Sequence, residues 1–143
     1  EKPQGVAAAT GSDVGGLRIL LAEDNHINQL LTARLLRRIG CQRIDVASDG
    51  LEAVRKAAAG DYDLILMDVQ MPGVDGVEAA RAVRELPGPT RQAQIVAVSA
   101  SVVDTDRERC RQAGMNGFIA KPIELRQLRE LIESCPTVGG GPN

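Results

Sequence analysis

Five short apolar runs alternate with five amphipathic segments along this chain, and this alternation limits the possible fold more than any other feature. The apolar runs are residues 17–22, 43–47, 63–68, 94–99 and 117–120, and the amphipathic segments are residues 26–39, 50–59, 76–86, 105–113 and 124–134. Short apolar runs are typical of buried strands, and apolar residues spaced by three and four are typical of helices. Repeated β–α units imply parallel strands with helices on both faces of the sheet. We therefore predict an α/β domain with one doubly wound parallel sheet.

The first helical segment carries a group of large apolar residues. Ile27, Leu31 and Leu35, together with Leu30, form one apolar face of the predicted helix. Such a face is expected in an amphipathic helix that packs on a sheet.

The two ends of the chain lack this periodicity. Residues 1–16 are small, polar and rich in glycine, and residues 136–143 have a similar composition. We predict a flexible linker or disordered arm over 1–16, a folded domain over 17–135 and a flexible tail over 136–143. The chain has 143 residues, enough for one domain with a core, and it begins with Glu1. We expect it to be a processed product or a piece of a longer protein.

Composition argues against several classes of partner. The formal net charge is −2, and the lysines and arginines are scattered, which argues against direct binding of nucleic acid. No apolar run is long enough to insert into a membrane. The three cysteines, Cys41, Cys110 and Cys135, are far apart and lack the spacing of a disulfide frame or a zinc site. They are expected to be free thiols, as in a cytoplasmic protein.

Polar side chains stand where four of the five predicted strands end. Glu23 and Asp24 follow the first strand, Asp68 ends the third, Ser99 ends the fourth and Lys121 follows the fifth. The carboxyl ends of parallel strands lie along one edge of a sheet, where ligands of such folds bind. We therefore expect these five side chains to converge on one site.

The residue types at this edge indicate phosphate and metal chemistry. The carboxylates of Glu23, Asp24 and Asp68 are hard oxygen ligands, which favour Mg²⁺, or Mn²⁺ as an alternative, over zinc. Lys121 and Ser99 would add a positive charge and a hydroxyl donor, completing a cradle for a phosphoryl group. A carboxylate can be the nucleophile in phosphoryl transfer, and Asp68 is the least crowded candidate. The chain lacks a glycine-rich nucleotide loop after the first strand.

Several motifs of this sequence resemble the receiver domain of two-component response regulators. They are Glu23-Asp24-Asn25, Asp68-Val69-Gln70-Met71-Pro72, Asp75-Gly76, Ser99-Ala100 and Phe118-Ile119-Ala120-Lys121-Pro122. They occur in the order of that family, and the resemblance covers residues 17 to 134. It implies a flavodoxin-like (βα)5 fold with strand order 2-1-3-4-5.

The resemblance also implies roles in metal binding and phosphorylation. Asp68 matches the phospho-accepting aspartate, and Lys121 matches the lysine that pairs with it. Asp24 matches a direct Mg²⁺ ligand, and Glu23 matches its partner, which acts through water. The backbone carbonyl at Gln70 matches a further metal ligand.

Two more positions match the conformational switch of the family. Ser99 corresponds to the switch hydroxyl, which is often Thr, and Phe118 corresponds to the switch aromatic, which is often Tyr. The Phe118 ring lacks the phenol that a tyrosine would use for hydrogen bonding. The peptide bond between Lys121 and Pro122 is usually cis in the family.

A further resemblance concerns the type of protein in which such a domain occurs. The stretches Glu-Asp-Asn-His-Ile-Asn-Gln and Met-Asp-Val-Gln-Met-Pro are similar to receivers fused to hybrid sensor histidine kinases. The implied partner is a histidine kinase dimerisation and phosphotransfer domain or a histidine phosphotransfer protein, which docks on the first helix and the loops near Asp68. Such a domain catalyses its own phosphorylation and dephosphorylation without being a stand-alone enzyme.

Two other functions remain open from the residues. One is a stand-alone or degenerate receiver that acts only as a docking module, although the complete set of site residues argues against it. The other is a small-molecule phosphatase with an aspartyl nucleophile. Such enzymes usually have a second aspartate two residues after the first, and Gln70 occupies that position here.

Overall fold

A parallel five-stranded sheet forms the centre of the protein in the computed structural model, which describes residues 14–100 and 104–135. Its strands are β1 (Arg18–Ala22), β2 (Arg43–Ala47), β3 (Leu64–Asp68), β4 (Gln94–Ser99) and β5 (Gly117–Ala120). Their order in the sheet is β2-β1-β3-β4-β5. The α/β fold and the strand order implied by the resemblance are both confirmed.

Five α-helices connect and follow the strands in the described part of the chain. They are α1 (His26–Ile39), α2 (Gly50–Ala59), α3 (Gly76–Arg84), α4 (Asp104–Gln112) and α5 (Leu125–Ser134), and short 3-10 helices occur at Val14–Gly16 and Pro89–Gln92. Helix α1 begins at an N-cap, Asn25, whose side chain accepts a hydrogen bond from the Asn28 N–H. Asp75 caps α3 in a reciprocal capping box with Glu78, as the spacing of these residues predicts.

Two hydrophobic cores cover the two faces of the sheet. One contains Leu36 of α1 and Leu128 and Ile132 of α5, and the other contains residues of α2, α3 and α4. Successive residues of β3 point alternately into them, with Leu66 in the first core and Met67 in the second. All five β3 residues are buried, so Asp68 ends the most enclosed strand of the sheet.

The folded region begins earlier than expected. Residues 14–16 belong to the predicted flexible arm, but they form a 3-10 turn, and the Leu17 N–H donates to the Val14 carbonyl. Val14 is buried because its side chain joins Leu17 and Cys41 in a core cluster. The remainder of the predicted arm (1–13) and the predicted tail (136–143) lie outside the described residues.

The apolar face predicted for α1 does not pack as a unit on the sheet. Ile27, Leu30 and Leu31 are 65%, 57% and 53% exposed. The buried residues of α1 are Thr32, Ala33 and Leu36, and Leu35 is half-buried. Thr32, Ala33 and Leu36 therefore face the core, while three large apolar side chains remain at the surface.

No helix in the described part of the chain has both the length and the apolar character needed to span a bilayer.

Candidate functional site

Three carboxylates meet at the carboxyl edge of the sheet. One oxygen from each of Glu23, Asp24 and Asp68 lies within 4.8 Å of the others. They come together because β1 and β3 are neighbours in parallel register, with Ala22 beside Met67. Glu23 and Asp68 are buried, with 4% of each residue exposed, whereas Asp24 is exposed. The cluster therefore opens to solvent through Asp24.

The backbone around Glu23 holds its side chain in place. The Glu23 N–H donates to the Ala47 carbonyl (2.9 Å), and the Asn25 N–H donates to Glu23 Oε2 (3.1 Å). Gln29 Nε2, one turn into α1, donates to the Glu23 carbonyl (2.6 Å). The start of α1 thus fixes the turn that carries both acidic residues.

Asp68 is held by contacts to both of its carboxylate oxygens. Oδ1 accepts a hydrogen bond from the Gln70 N–H (3.1 Å), and Oδ2 accepts one from Lys121 Nζ (3.0 Å). The backbone behind Asp68 is closely approached by α3, since a Cβ on Gly76 would lie only 2.1 Å from the Asp68 carbonyl oxygen. Glycine at position 76 therefore lets α3 begin against the strand end without displacing the carboxylate.

Lys121 bridges two of the three carboxylates. Its ammonium lies 3.0 Å from Asp68 Oδ2 and 3.1 Å from Glu23 Oε1. Burial alone would lower the pKa of Lys121, but the hydrogen bonds and charges of Asp68 and Glu23 outweigh it and raise the pKa above its ordinary value. The lysine is therefore held in its charged form.

The charges of the cluster do not balance. Among the described residues, Lys121 pairs with two of the three carboxylates, which leaves the cluster with an excess of negative charge. Such a group of hard oxygens, partly buried and open on one side, fits a divalent cation of the Mg²⁺ type that retains water ligands. Glu23, Asp24 and Asp68 are the residues that would hold it.

The other predicted site residues lie around this cluster. Ser99 is buried at the end of β4, and its carbonyl accepts a hydrogen bond from the Lys121 N–H (2.9 Å). The peptide bond between Lys121 and Pro122 is cis, as expected. Gln70 is exposed and lines a cavity of about 390 Å³ that also includes Asp24.

Phe118 lies on the same sheet face as Ser99. The register pairs Phe118 with Ala97 and Ala120 with Ser99, and side chains two residues apart on a strand point the same way. The ring is half-buried, and the guanidinium carbon of Arg107 lies 5.0 Å from its centre.

Sequence reasoning missed three residues of this region. Gln29 supports Glu23, Arg107 stacks on Phe118, and Arg109 lines the cavity beside Asp24 and Gln70. Gln29 closes the stretch Glu-Asp-Asn-His-Ile-Asn-Gln, so its position one turn after the acids was a usable signal. The two arginines lie on α4 among other charged residues, and the linear pattern does not distinguish them from a solvated face.

Comparison with known proteins gives a family for this arrangement. Residues 19–133 match the family described as the response regulator receiver domain. The chain is 38% identical over 133 residues to the osmosensing histidine protein kinase SLN1 of Saccharomyces cerevisiae, a match that covers 89% of this chain and 11% of SLN1. The chain therefore spans about a tenth of the length of that relative.

Solved structures agree with this match. One is the receiver domain of the sensor histidine kinase PA1611 from Pseudomonas aeruginosa PAO1, with a magnesium ion coordinated in its active site cleft. It is 40% identical, with a TM-score of 0.75 over 82% of this chain and 94% of that one. Another is the receiver domain of Ssk1 from Saccharomyces cerevisiae, in complex with the histidine phosphotransfer protein Ypd1. It is 31% identical, with a TM-score of 0.71 over 81% of this chain and 86% of that one.

The chain belongs to the response regulator receiver domain family. Fold, strand order and the match over nearly all of the described residues agree on this assignment.

Proposed function

We propose that this domain accepts a phosphoryl group from a phosphohistidine onto Asp68, as one step of a phosphorelay. The observation that carries the proposal is the position of the Asp68 carboxylate. It ends the central strand, is held by the Gln70 N–H and Lys121, and shares its surroundings with two further carboxylates. In the transfer, a bond forms between an Asp68 oxygen and phosphorus while the bond from phosphorus to the donor histidine nitrogen breaks.

The surrounding side chains have separate roles in this proposal. Glu23, Asp24 and the Gln70 carbonyl would hold Mg²⁺, with Mn²⁺ as a substitute, beside Asp68. The bound cation would neutralise negative charge on the phosphoryl oxygens. Lys121, already charged and 3.0 Å from Asp68, would follow the phosphoryl group and bind one of its oxygens.

Ser99 and Phe118 would transmit the effect of phosphorylation from Asp68 to the protein surface. The Ser99 hydroxyl would bind a phosphoryl oxygen and move toward Asp68. Phe118 points to the same sheet face on the adjacent strand, so its ring could enter the space that Ser99 leaves. Phosphorylation then favours one of two packings and changes the surface of α4, β5 and α5.

The exposed apolar residues of α1 supply a docking surface for the donor. Ile27, Leu30 and Leu31 lie on the first two turns of the helix that starts directly after the acidic pair. We assign this patch to a histidine phosphotransfer protein or a kinase phosphotransfer domain. The Ypd1 complex of a similar receiver supports a partner of the first kind.

The parent protein is proposed to be a hybrid sensor histidine kinase, as SLN1 and other relatives are histidine kinases. The three cysteines are not joined in disulfides, which agrees with a reducing, cytoplasmic setting for this domain. The domain would catalyse its own phosphorylation and dephosphorylation and would not turn over an external substrate.

Intact mass after incubation with acetyl phosphate and Mg²⁺ tests the phosphorylation directly. The wild type is expected to gain the mass of one phosphoryl group, and Asp68→Ala is expected to gain none. Asp61→Asn serves as the matched control, because Asp61 is an exposed carboxylate that pairs with Arg18 away from the acidic cluster. A wild type without added mass, or equal gain in Asp68→Ala, would overturn the proposal.

A second experiment tests the docking surface with phosphorylated Ypd1 as the donor. Leu30→Ser is expected to slow transfer from Ypd1 by about tenfold, since truncation of a well-packed interface residue costs about 1–2 kcal/mol. Phosphorylation by acetyl phosphate should stay unchanged, as the side chain is exposed and outside the site. Leu51→Ser, at an equally exposed leucine of α2, provides the control. Equal rates for Leu30→Ser and the wild type would contradict the assignment.

A further inference from the structure

The ring of Phe118 contacts Arg107, a residue to which the family resemblance assigns no role. The guanidinium carbon of Arg107, on α4, lies 5.0 Å from the centre of the Phe118 ring on β5. That distance is within the range of a cation–π interaction. Phenylalanine offers the cation an aromatic face but has no hydroxyl of its own to anchor the ring.

The ring and the arginine share an open cavity. Together with Cys110 and Met115 they line a space of about 210 Å³ between α4 and β5. Phe118 is half-buried, whereas Ser99, on the same face of the sheet, is buried. The ring therefore lies toward the protein surface and not toward Ser99, and Arg107 contacts it there.

Movement of the ring toward Ser99 must separate it from Arg107. The two groups belong to different elements, and Arg107 lies at the exposed surface of α4. Its contact with the ring therefore stabilises the outward packing and not the inward one. A contact made in only one of two states shifts the equilibrium toward that state.

We propose that Arg107 is a positioning residue that holds Phe118 outward and thereby weakens the response of the domain to phosphorylation. This inference rests on the proposed function of Asp68 and Phe118, and it adds a residue that sets the threshold of the switch. Arg107 acts through the ring and does not touch the reacting groups.

The size of the effect follows from the strength of such contacts. An exposed cation–π pair changes an equilibrium by about two- to fivefold. The apparent affinity for a phosphoryl group falls with the fraction of molecules in the competent state. Loss of Arg107 should therefore raise that affinity by the same factor.

The test uses beryllium trifluoride with Mg²⁺ as a phosphoryl mimic on the whole chain. Phe118 is the only phenylalanine in the sequence, so its ring resonances can be followed by NMR without ambiguity. Arg107→Ala is expected to bind the mimic about two- to fivefold more tightly than the wild type and to shift the ring signals at lower concentrations. Arg107→Lys, which keeps a cation, should fall between them.

Arg111→Ala is the matched control. Arg111 lies on the same helix, lines the same cavity and pairs with Glu108 (3.1 Å), so its removal tests general loss of charge beside the ring. It should bind the mimic as the wild type does.

The outcomes separate this inference from the proposed function. A protein that takes up phosphate on Asp68, but whose mimic affinity is unchanged or reduced in Arg107→Ala, would overturn the role of Arg107 alone. An equal gain in Arg107→Ala and Arg111→Ala would do the same. A wild type that gains no phosphate would overturn the proposed function and this inference with it.

Discussion

Asp63 directly precedes β3 and Asp68 ends it, and both are buried, yet their carboxylates have different ionic partners. Asp63 Oδ2 accepts hydrogen bonds from the Arg18 N–H (2.9 Å) and from Arg18 Nε (3.4 Å). The buried carboxylate of Asp63 thus pairs with a guanidinium that also contacts the exposed carboxylate of Asp61. Asp68 must share the Lys121 ammonium with Glu23 and has Asp24 beside it.

The difference separates a structural carboxylate from a functional one. The backbone of Asp63 also joins β1 and β4, since its N–H donates to the Arg18 carbonyl and its carbonyl accepts from the Gln94 N–H. At that end the charges and hydrogen bonds support the sheet. At the other end an excess of negative charge remains, which favours binding of a cation and then of a phosphoryl group. Burial alone does not distinguish the two.

The largest expected effect is on stability at the Asp63 end of β3. Asp63→Asn should lower the free energy of unfolding by about 2 kcal/mol, because a charged hydrogen bond to a buried partner is lost. Urea denaturation measures the change. Asp61→Asn, which alters only an exposed partner of Arg18, should cost less than about 1 kcal/mol. Equal free energies of unfolding for the two variants would contradict the structural role assigned to Asp63.

Replacement of the aspartate by asparagine at Asp68 should instead raise the free energy of unfolding. At an effective dielectric of 20, the two neighbouring carboxylates repel Asp68 by about 7 kcal/mol in total, and Lys121 attracts it by about 5.5 kcal/mol. Asp68→Asn removes both, and after solvent screening it should raise stability by about 1 kcal/mol in Mg²⁺-free buffer. A loss of stability comparable to that of Asp63→Asn would contradict the claim of uncompensated charge.

The smallest effect concerns the pH dependence of Lys121. Its pKa is raised above the ordinary value of 10.5, so its charge contributes stability that is complete below that pH and is lost as pH rises through the folded-state pKa. The difference in melting temperature between the wild type and Lys121→Gln should therefore be constant from pH 7 to pH 9 and shrink above pH 10.5. A difference that grows with alkaline pH would contradict this sign.

The sequence predicts the acidic end of β3 well because its signal is local. Apolar runs locate the strands, and the parallel arrangement brings Glu23, Asp24, Asp68 and Lys121 to one edge. The Asp63 end gives no such signal. The pairing of Asp63 with Arg18 joins residues 45 positions apart and depends on strand register, which periodicity does not specify. The strand order came from the family resemblance.

The apolar face of α1 shows a different limit. Residue spacing indicates which side chains share a face of a helix, but not which face meets the sheet. Here Thr32 and Ala33 are buried, and the larger Leu30 and Leu31 remain exposed. The burial of Val14 was missed for a related reason, since a single valine in a glycine-rich stretch has no periodic context.

Calorimetric titration with Mg²⁺ of the wild type, Asp68→Asn and Asp63→Asn tests the central claim most directly. If uncompensated charge makes the Asp68 end a cation site, the wild type and Asp63→Asn should bind one Mg²⁺ with similar affinity. Asp68→Asn should bind at least about tenfold more weakly, since one of three carboxylate ligands is lost. Equal Mg²⁺ affinity in Asp68→Asn and the wild type, or equal weakening in the two variants, would contradict the account.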